Sequence, residues 1–348
     1  MCPSITEFRS RIRRLLENEV AATSRKPRDV VIFAIDGIPY EIAVHNWRHA
    51  ETVRLRAVFP TTSSTCWLSS LTGLTVPRHG IPGVVFRVAD GSLINVFEYN
   101  SNLDVPGNGN IFSDAARLGY VPCSIMGDFE PYDCSWRTEL LRDSRIIRGY
   151  RFYSTGSSCP PAAICDVVRR ALKACTEQQN QGRARLIWCF IDADQHIHRK
   201  GYDDELSDFL GNIEKLALEL AAGGMLPLAH SDHGLVRTAH NAALEQLVHG
   251  ILRQYACSMG GAGRTRWIYA KPEVEERLAF ELRRQLKGQI RVCEADIFFE
   301  QNSIARTRVG EVLLVADGEE FMTFSDHRFD HGSLTDTELF VPLSSWHK

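Results

Sequence analysis

The chain predicts an α/β fold: a mostly parallel central sheet with helices on both faces. Two observations carry this. Short apolar runs such as VVIFAID, IWCFID and LPLAHSD alternate with amphipathic stretches along the chain, the pattern of parallel strands joined by crossover helices. Five fragments also close on polar side chains: VVIFAID at Asp36, VFPTTSST around Ser63, IWCFIDADQHIH at Asp194 and His198, PLAHSDHG at Asp232 and His233, and FDHG at His331. Each reads as a strand running into a loop. An apolar run that closes on Asp or His sets that side chain at the carboxyl edge of a sheet, where open α/β sheets take their ligands.

The elements follow in order. Residues 1–25 read as a helix with a polar end, and VVIFAID (30–36) as the first strand. YEIAVHNWRHA follows as a short helix, and RLRAVFP (54–60) as a strand stopped by Pro60. TSSTCWLSSLTGL opens a helix with hydroxyl residues in its first turn, which suits N-capping and anion binding at a helix N-terminus. FRVADGSLINVFEY reads as a hairpin around Asp90-Gly91. IFSDAARLGY is a helix and VPCSIMGD a strand. Further helices are expected at 161–180 and 203–222, in NAALEQLVHGILRQY and in EVEERLAFELRRQL. Strands are expected at 185–191, in LPLAHSD, in RTRWIYA (264–270), and as a late pair in RVGEVLLVADG.

With 348 residues the chain suits one catalytic-sized domain, 1–348, with a cap or insert over 84–160. Hydrophobic residues make up 44% and charged residues 24%, an ordinary globular composition. The net charge of −3 gives no basic excess for a nucleic-acid backbone. No stretch approaches the ~20 apolar residues that span a bilayer, and no signal-peptide segment opens the chain. Ten cysteines without a CxxC pair read as buried reduced thiols, and a cytoplasmic protein is expected. A loop disulfide between Cys134 and Cys159 is the alternative.

The polar ends supply three Asp, three His and one hydroxyl. Zinc takes His nitrogen and carboxylate oxygen, and a catalytic site leaves one position open. Asp194 and His198, four apart, make one three-ligand group with His331. Asp232 and His233 make a second with Asp36. Two divalent ions, Zn2+ by this donor set, would clamp a phosphoryl group and activate a hydroxyl as nucleophile.

VIFAIDG, FPTTSSTCWLSSLTGLTVPRHGI, DADQHIHRKG, SDHG and FDHGSLTDTELFVPL together resemble the alkaline phosphatase superfamily, in its type I phosphodiesterase/nucleotide pyrophosphatase branch. The blocks run in the family's order from residue 30 to 343. The resemblance implies an alkaline-phosphatase-like fold. It implies Asp36, Ser63, Asp232 and His233 on one zinc, and Asp194, His198 and His331 on the other. Ser63 stands where the branch has a nucleophilic Thr, with Thr62 and Ser64 as register alternatives. His327 competes with His331. Val84 stands where the branch has an Asn that holds a phosphate oxygen, and Val donates no hydrogen bond.

Around these, His230 reads as structural, His196 as a loop residue, and His79 as ordering the loop beneath the Ser63 helix. Asp192 and Asp326 either orient ligands or are plain solvated carboxylates. Trp136, Tyr132, Tyr150, Phe152, Tyr153 and nearby Arg residues either cover the site or pack on their own core. The expected function is a two-metal hydrolase that cleaves a small-molecule phosphodiester or pyrophosphate through a phospho-serine. Phosphomonoester or phosphonate hydrolysis is the alternative, and a non-catalytic metal-containing binding protein is the alternative of another class. No CxPSR-type sulfatase motif is present.

Overall fold

A seven-stranded sheet lies at the centre of the structure, a computed structural model that describes residues 2–22, 25–151, 161–177, 182–288 and 290–346. In chain order its strands are β1 (Val30–Ile35), β2 (Glu51–Arg56), β3 (Val121–Ile125), β4 (Arg145–Ile147), β5 (Arg185–Ile191), β6 (Leu226–His230) and β7 (Phe340–Ser345). They lie side by side as β2-β7-β6-β1-β5-β3-β4. Neighbours pair parallel except at β7, which is antiparallel to both β2 and β6.

The central strands β1, β5 and β6 are buried along their whole length. Burial on both faces selects continuous apolar sequence over alternation, as VVIFAI and RLIWCFI show. Val31, Phe33, Ile187 and Cys189 pack one face against Ile164, Val168, Phe209 and Ile213 of the helices Pro161–Glu177 and Asp204–Ala222. Ile32, Trp188 and Phe190 pack the other against Phe8, Ile12, Trp67 and Leu71 of the helices Phe8–Ala21 and Ser63–Thr72. The mostly parallel sheet with two helical faces is the architecture that the alternating pattern predicts.

A second, six-stranded sheet is antiparallel throughout and was not legible as a sheet. Its strands lie in the order Ile290–Glu294, Val312–Ala316, Thr265–Tyr269, Ser258–Ala262, Val85–Arg87 and Leu93–Asn95. The hairpin expected around Asp90-Gly91 is its outer edge. The stretch 84–160 thus divides between the sheets, since β3 and β4 extend the central one. The late strand pair expected in RVGEVLLVADG differs. Its start ends the helix Ile304–Arg308, which Ser303 caps by accepting from the Arg306 N–H (3.2 Å), and only Val312–Ala316 pairs in this sheet.

The other difference bears on function. DQHIH does not run on as a loop but forms the helix Asp194–Lys200, and Asp192 Oδ1 accepts from the Gln195 N–H (3.1 Å) in its first turn. Among the described residues no helix is long and apolar enough to cross a membrane. The described cysteines are free, Cys134 among them, and Cys159 lies outside the described residues, as do Phe152 and Tyr153.

Truncation at the centre of this core tests its packing. Ile32→Ala, at a fully buried β1 position, should lower unfolding free energy by about 2–5 kcal/mol. Urea unfolding followed by tryptophan fluorescence measures it.

Candidate metal centre

The carboxyl ends of β1, β5 and β6 meet at one edge because these three strands are parallel neighbours. Ala34 pairs with His230, so Asp36 and Asp232 each stand two residues beyond one ladder rung. Ile35 pairs with Ile191, and the Asp36 N–H donates to the Ile191 carbonyl (2.9 Å). From β2 the chain turns through Pro60 to Ser63, the first residue of the helix Ser63–Thr72. His331 comes from the segment that precedes β7 and reaches the same edge.

Two three-residue groups form there beside Ser63, and a third, His198 with His327 and Asp330, shares His198 with one of them. Asp36, Asp232 and His233 bring ligand atoms within 4.8 Å of one another, and so do Asp194, His198 and His331. These are the two groups that the spacing predicts. Ser63 Oγ joins the first: it lies 3.1 Å from His233 Nε2 and donates to Asp36 Oδ1 at 3.4 Å. Thr62 and Ser64 are fully buried and turn their hydroxyls to each other (3.4 Å), whereas Ser63 is half-buried. In the second group, helical spacing sets Asp194 and His198 on one face, with His198 Nε2 2.8 Å from Asp194 Oδ2. The His233 and His331 rings stack at 3.9 Å between centroids and join the two groups.

The ligand rings are aimed by atoms behind them. His198 Nδ1 donates to the Phe329 carbonyl (2.7 Å) and His331 Nδ1 to the Thr61 carbonyl (2.8 Å), which leaves each Nε2 toward the site. Trp67 Nε1 donates to Asp36 Oδ2 (3.0 Å). The His331 segment is itself pinned: the Arg264 N–H donates to the His331 carbonyl (2.7 Å) and Thr265 Oγ1 to the Gly332 carbonyl (2.6 Å). Gly263, at φ +49°, lies so close beneath that a Cβ would run into the His331 carbonyl.

The electrostatics are those of crowded acids. Burial and the Asp194 charge push the Asp36 carboxyl up to about 7. Burial, with the charges of Asp36 and Asp194, also pushes Asp232 and Asp192 far above the usual carboxylate range. Asp194 falls below it, because His198 and His331 outweigh the cost of its burial. His198 is buried too, yet Asp194 holds it up to about 10. Burial and His331 depress His233. Among the described residues, Asp194 Oδ1, Asp232 Oδ2 and His233 Nδ1 are buried without hydrogen-bond partners. Orphaned carboxylate oxygens beside imidazole nitrogens are the donor set of a divalent ion, so the residues fit metals at both groups.

The surrounding residues resolve as well. His230 and His79 are buried and structural: His230 bridges Ser70 Oγ (2.8 Å) and the Pro342 carbonyl (3.0 Å), and His79 bridges Ser69 Oγ (2.9 Å) and the Ile81 N–H (3.0 Å). His196 pairs with Asp203 (2.8 Å) in a separate Asp/Glu/His group with Glu205. Asp326 is an exposed partner of Arg199 (3.6 Å), not an orienting residue. Trp136 is core, and its Nε1 donates to the Ser64 carbonyl (2.8 Å). Tyr132 is half-buried against Phe97 and Phe129. Burial and the charges of Asp192, Asp36 and Asp194 raise its phenol.

Sequence reasoning missed Trp67 and Asp128. Trp67 lies one helical turn after Ser63, a spacing that could have found it. Asp128 closes the apolar run VPCSIMGD in the manner of the metal-group acids, and its Oδ2 accepts from the Asp192 N–H (3.2 Å). The Thr61 and Phe329 carbonyls leave no trace in side-chain pattern.

An α/β sheet whose carboxyl edge gathers two Asp/His groups around a serine defines a class, the metal-dependent hydrolases. This chain belongs to the type I phosphodiesterase/nucleotide pyrophosphatase family, whose profile matches residues 47–332. It is therefore a phosphoester hydrolase of a metallo-enzyme family. Similar solved structures include murine ectonucleotide pyrophosphatase/phosphodiesterase 5, 15% identical over 92% of this chain and 88% of that one, with a TM-score of 0.65. An inactive form of that protein in complex with AMP matches with a TM-score of 0.64, 15% identity and coverage of 91% and 87%. Phosphonoacetate hydrolase from Sinorhizobium meliloti 1021, in complex with phosphonoacetate, is 16% identical over 92% and 90%, with a TM-score of 0.66. At these identities the likeness establishes the alkaline-phosphatase-like fold. No curated protein matches the chain.

Asp36→Asn separates charge relief from metal binding. In metal-stripped protein at pH 8 it should raise stability by a few kcal/mol, and it should reduce the stabilisation by added zinc to what the Asp194–His198–His331 group alone supplies. The pH sign follows from the raised carboxyl: the folded state holds that proton more tightly than the unfolded chain. Stability of the stripped parent therefore falls as pH rises from about 4 toward about 7, and the advantage of the variant vanishes in acid. Thermal melts across pH, with and without zinc, read both effects. Trp67→Phe should weaken zinc binding about 10–100-fold with little loss of stability, measured by competition with a chromogenic chelator.

Proposed function

We propose that the chain cleaves a small-molecule phosphodiester or pyrophosphate through a covalent phospho-serine at Ser63. The observation that carries this reading is the Ser63 hydroxyl at the N-terminus of its helix, 3.1 Å from His233 and 3.4 Å from Asp36. Asp36, Ser63, Asp232 and His233 would hold one divalent ion, and Asp194, His198 and His331 a second, with zinc favoured by the donor set. When bound, two such ions supply positive charge that ionises a hydroxyl near neutral pH and stabilises phosphoryl oxygens.

The residues then divide the work. Ser63 Oγ attacks phosphorus while Asp36 and His233 fix its direction, and the first turn of its helix sets N–H groups toward the transferred oxygens. The leaving group departs on the far side, across the Asp194 group. A water then attacks from the vacated side and frees Ser63. Two inversions give net retention at phosphorus. The donor that Val84 cannot supply is proposed to be the Tyr132 hydroxyl, which makes no hydrogen bond to a described residue and whose phenol is raised by burial and by the charges of Asp192, Asp36 and Asp194. Free thiols at the described cysteines support a reducing, cytoplasmic setting.

Ser63→Ala should lower kcat on a chromogenic phosphodiester by at least about 10³-fold, with metal content unchanged by elemental analysis. Activity near the parent's would contradict the nucleophile. Tyr132→Phe should lower kcat/KM about tenfold or more. An unchanged value would remove Tyr132 from the oxygen-binding role.

A further inference from the structure

We propose that Phe324 and His327 form a leaving-group subsite that favours an ester with a planar aromatic leaving group. The inference rests on the reading of Ser63 as nucleophile. Five rings lead from Ser63 to the surface. His233 stacks on His331 (3.9 Å), His331 adjoins His198 (5.3 Å), His198 stacks on His327 (3.9 Å), and Phe324 meets His327 edge-on (5.1 Å). The two ends of the row differ in exposure: the His233 side chain is 0% exposed, those of His331 and His198 are 10% and 6%, that of His327 is 15%, and Phe324 is 70% exposed.

In-line displacement fixes what passes along this row. A leaving group departs opposite the attacking oxygen, and Ser63 sits at the His233 end. The leaving group must then cross the Asp194–His198–His331 group and emerge toward His327 and Phe324. It meets there a large apolar ring held out in water, for which the core offers no partner.

The platform is built rather than loose. The Thr323 carbonyl accepts from His240 Nδ1 (2.7 Å) and the Met322 carbonyl from Arg266 Nη2 (2.8 Å) on one side of Phe324. On the other, the Phe324 carbonyl accepts from the His327 N–H (3.1 Å), and the Arg328 N–H donates to the His198 carbonyl (2.7 Å). Asp330 Oδ2 accepts from His327 Nδ1 (3.3 Å) and so fixes the ring that stacks on His198. His327 Nε2 has no hydrogen-bond partner among the described residues. It gives the subsite one polar atom beside the apolar ring, able to accept from a hydroxyl on the leaving group.

The test uses zinc-loaded Ser63→Ala protein, which binds esters without turning them over, with phenyl phosphate and methyl phosphate as probes in calorimetry. Phenyl phosphate should bind about five- to tenfold more tightly, an aromatic pair's contribution. Adding Phe324→Ala should reduce that preference to within twofold, and Phe324→Trp should keep it, with methyl phosphate unmoved in both. Equal affinity for the two esters, including weak binding of both, overturns the subsite, and so does a preference that survives Phe324→Ala. In the parent, Phe324→Ala should raise KM for a p-nitrophenyl ester with kcat within twofold, whereas a merely structural role would lower kcat as well. Full turnover by Ser63→Ala would sink the nucleophile reading while leaving a phenyl preference standing, so the two failures are distinguishable.

Discussion

Repulsion among buried carboxylates at one sheet edge is the constraint on which the rest of the structure depends. Asp36, Asp194 and Asp232 end or follow three adjacent parallel strands, and each is at least nine-tenths buried. Taken alone this is costly, since like charges out of water push each other's ionisation upward. The rise of Asp36 to about 7 records that cost. A fold keeps such an arrangement when cations occupy it, and the oxygens of Asp194 and Asp232 that are unpartnered among the described residues are the donors proposed for them. Removing unneeded charge would be the simpler solution for a protein with no use for metal.

Everything around the edge is organised to hold that geometry. The helix Ser63–Thr72 is buried on nearly every side, so its first turn cannot drift. Ser70 ties it to His230 on β6, Trp67 ties it to Asp36, and Phe8 stacks on His230 at 4.1 Å from the outer layer. The antiparallel sheet contributes at a distance: Arg264 and Thr265, beside Gly263, grip the backbone of the His331 segment. The buried Arg264–Glu338 pair (3.5 Å), with the capping box of Thr335 and Glu338, anchors the chain where it turns into β7. Two sheets with different strand directions thus converge on one pair of ligand groups.

Much of this was legible, and the reasons are physical. Continuous apolar runs such as VVIFAI report burial on both faces, so the parallel sheet could be read directly. Asp36, Asp194, His198, Asp232, His233 and His331 each close or follow such a run or sit at a telling spacing, so both groups could be assembled from sequence. Ser63 could not be separated from Thr62 and Ser64 by pattern, because all three are hydroxyl residues in one helical turn; their burial separates them. The second sheet escaped because its strands alternate less cleanly. SMGGA in particular carries two glycines packed under Trp267 and Arg266, and reads as a turn rather than a strand. Backbone carbonyls that aim His198 and His331 are invisible to any reading of side-chain types.

The central claim is that the two Asp/His groups hold two metal ions, and anomalous diffraction at the zinc edge from a crystal of the zinc-loaded protein tests it most directly. The account predicts two peaks roughly 3.5–4 Å apart, one touching Asp36, Asp232 and His233 and the other Asp194, His198 and His331. A single peak, or zinc only at the separate group of His196, Asp203 and Glu205, would contradict it.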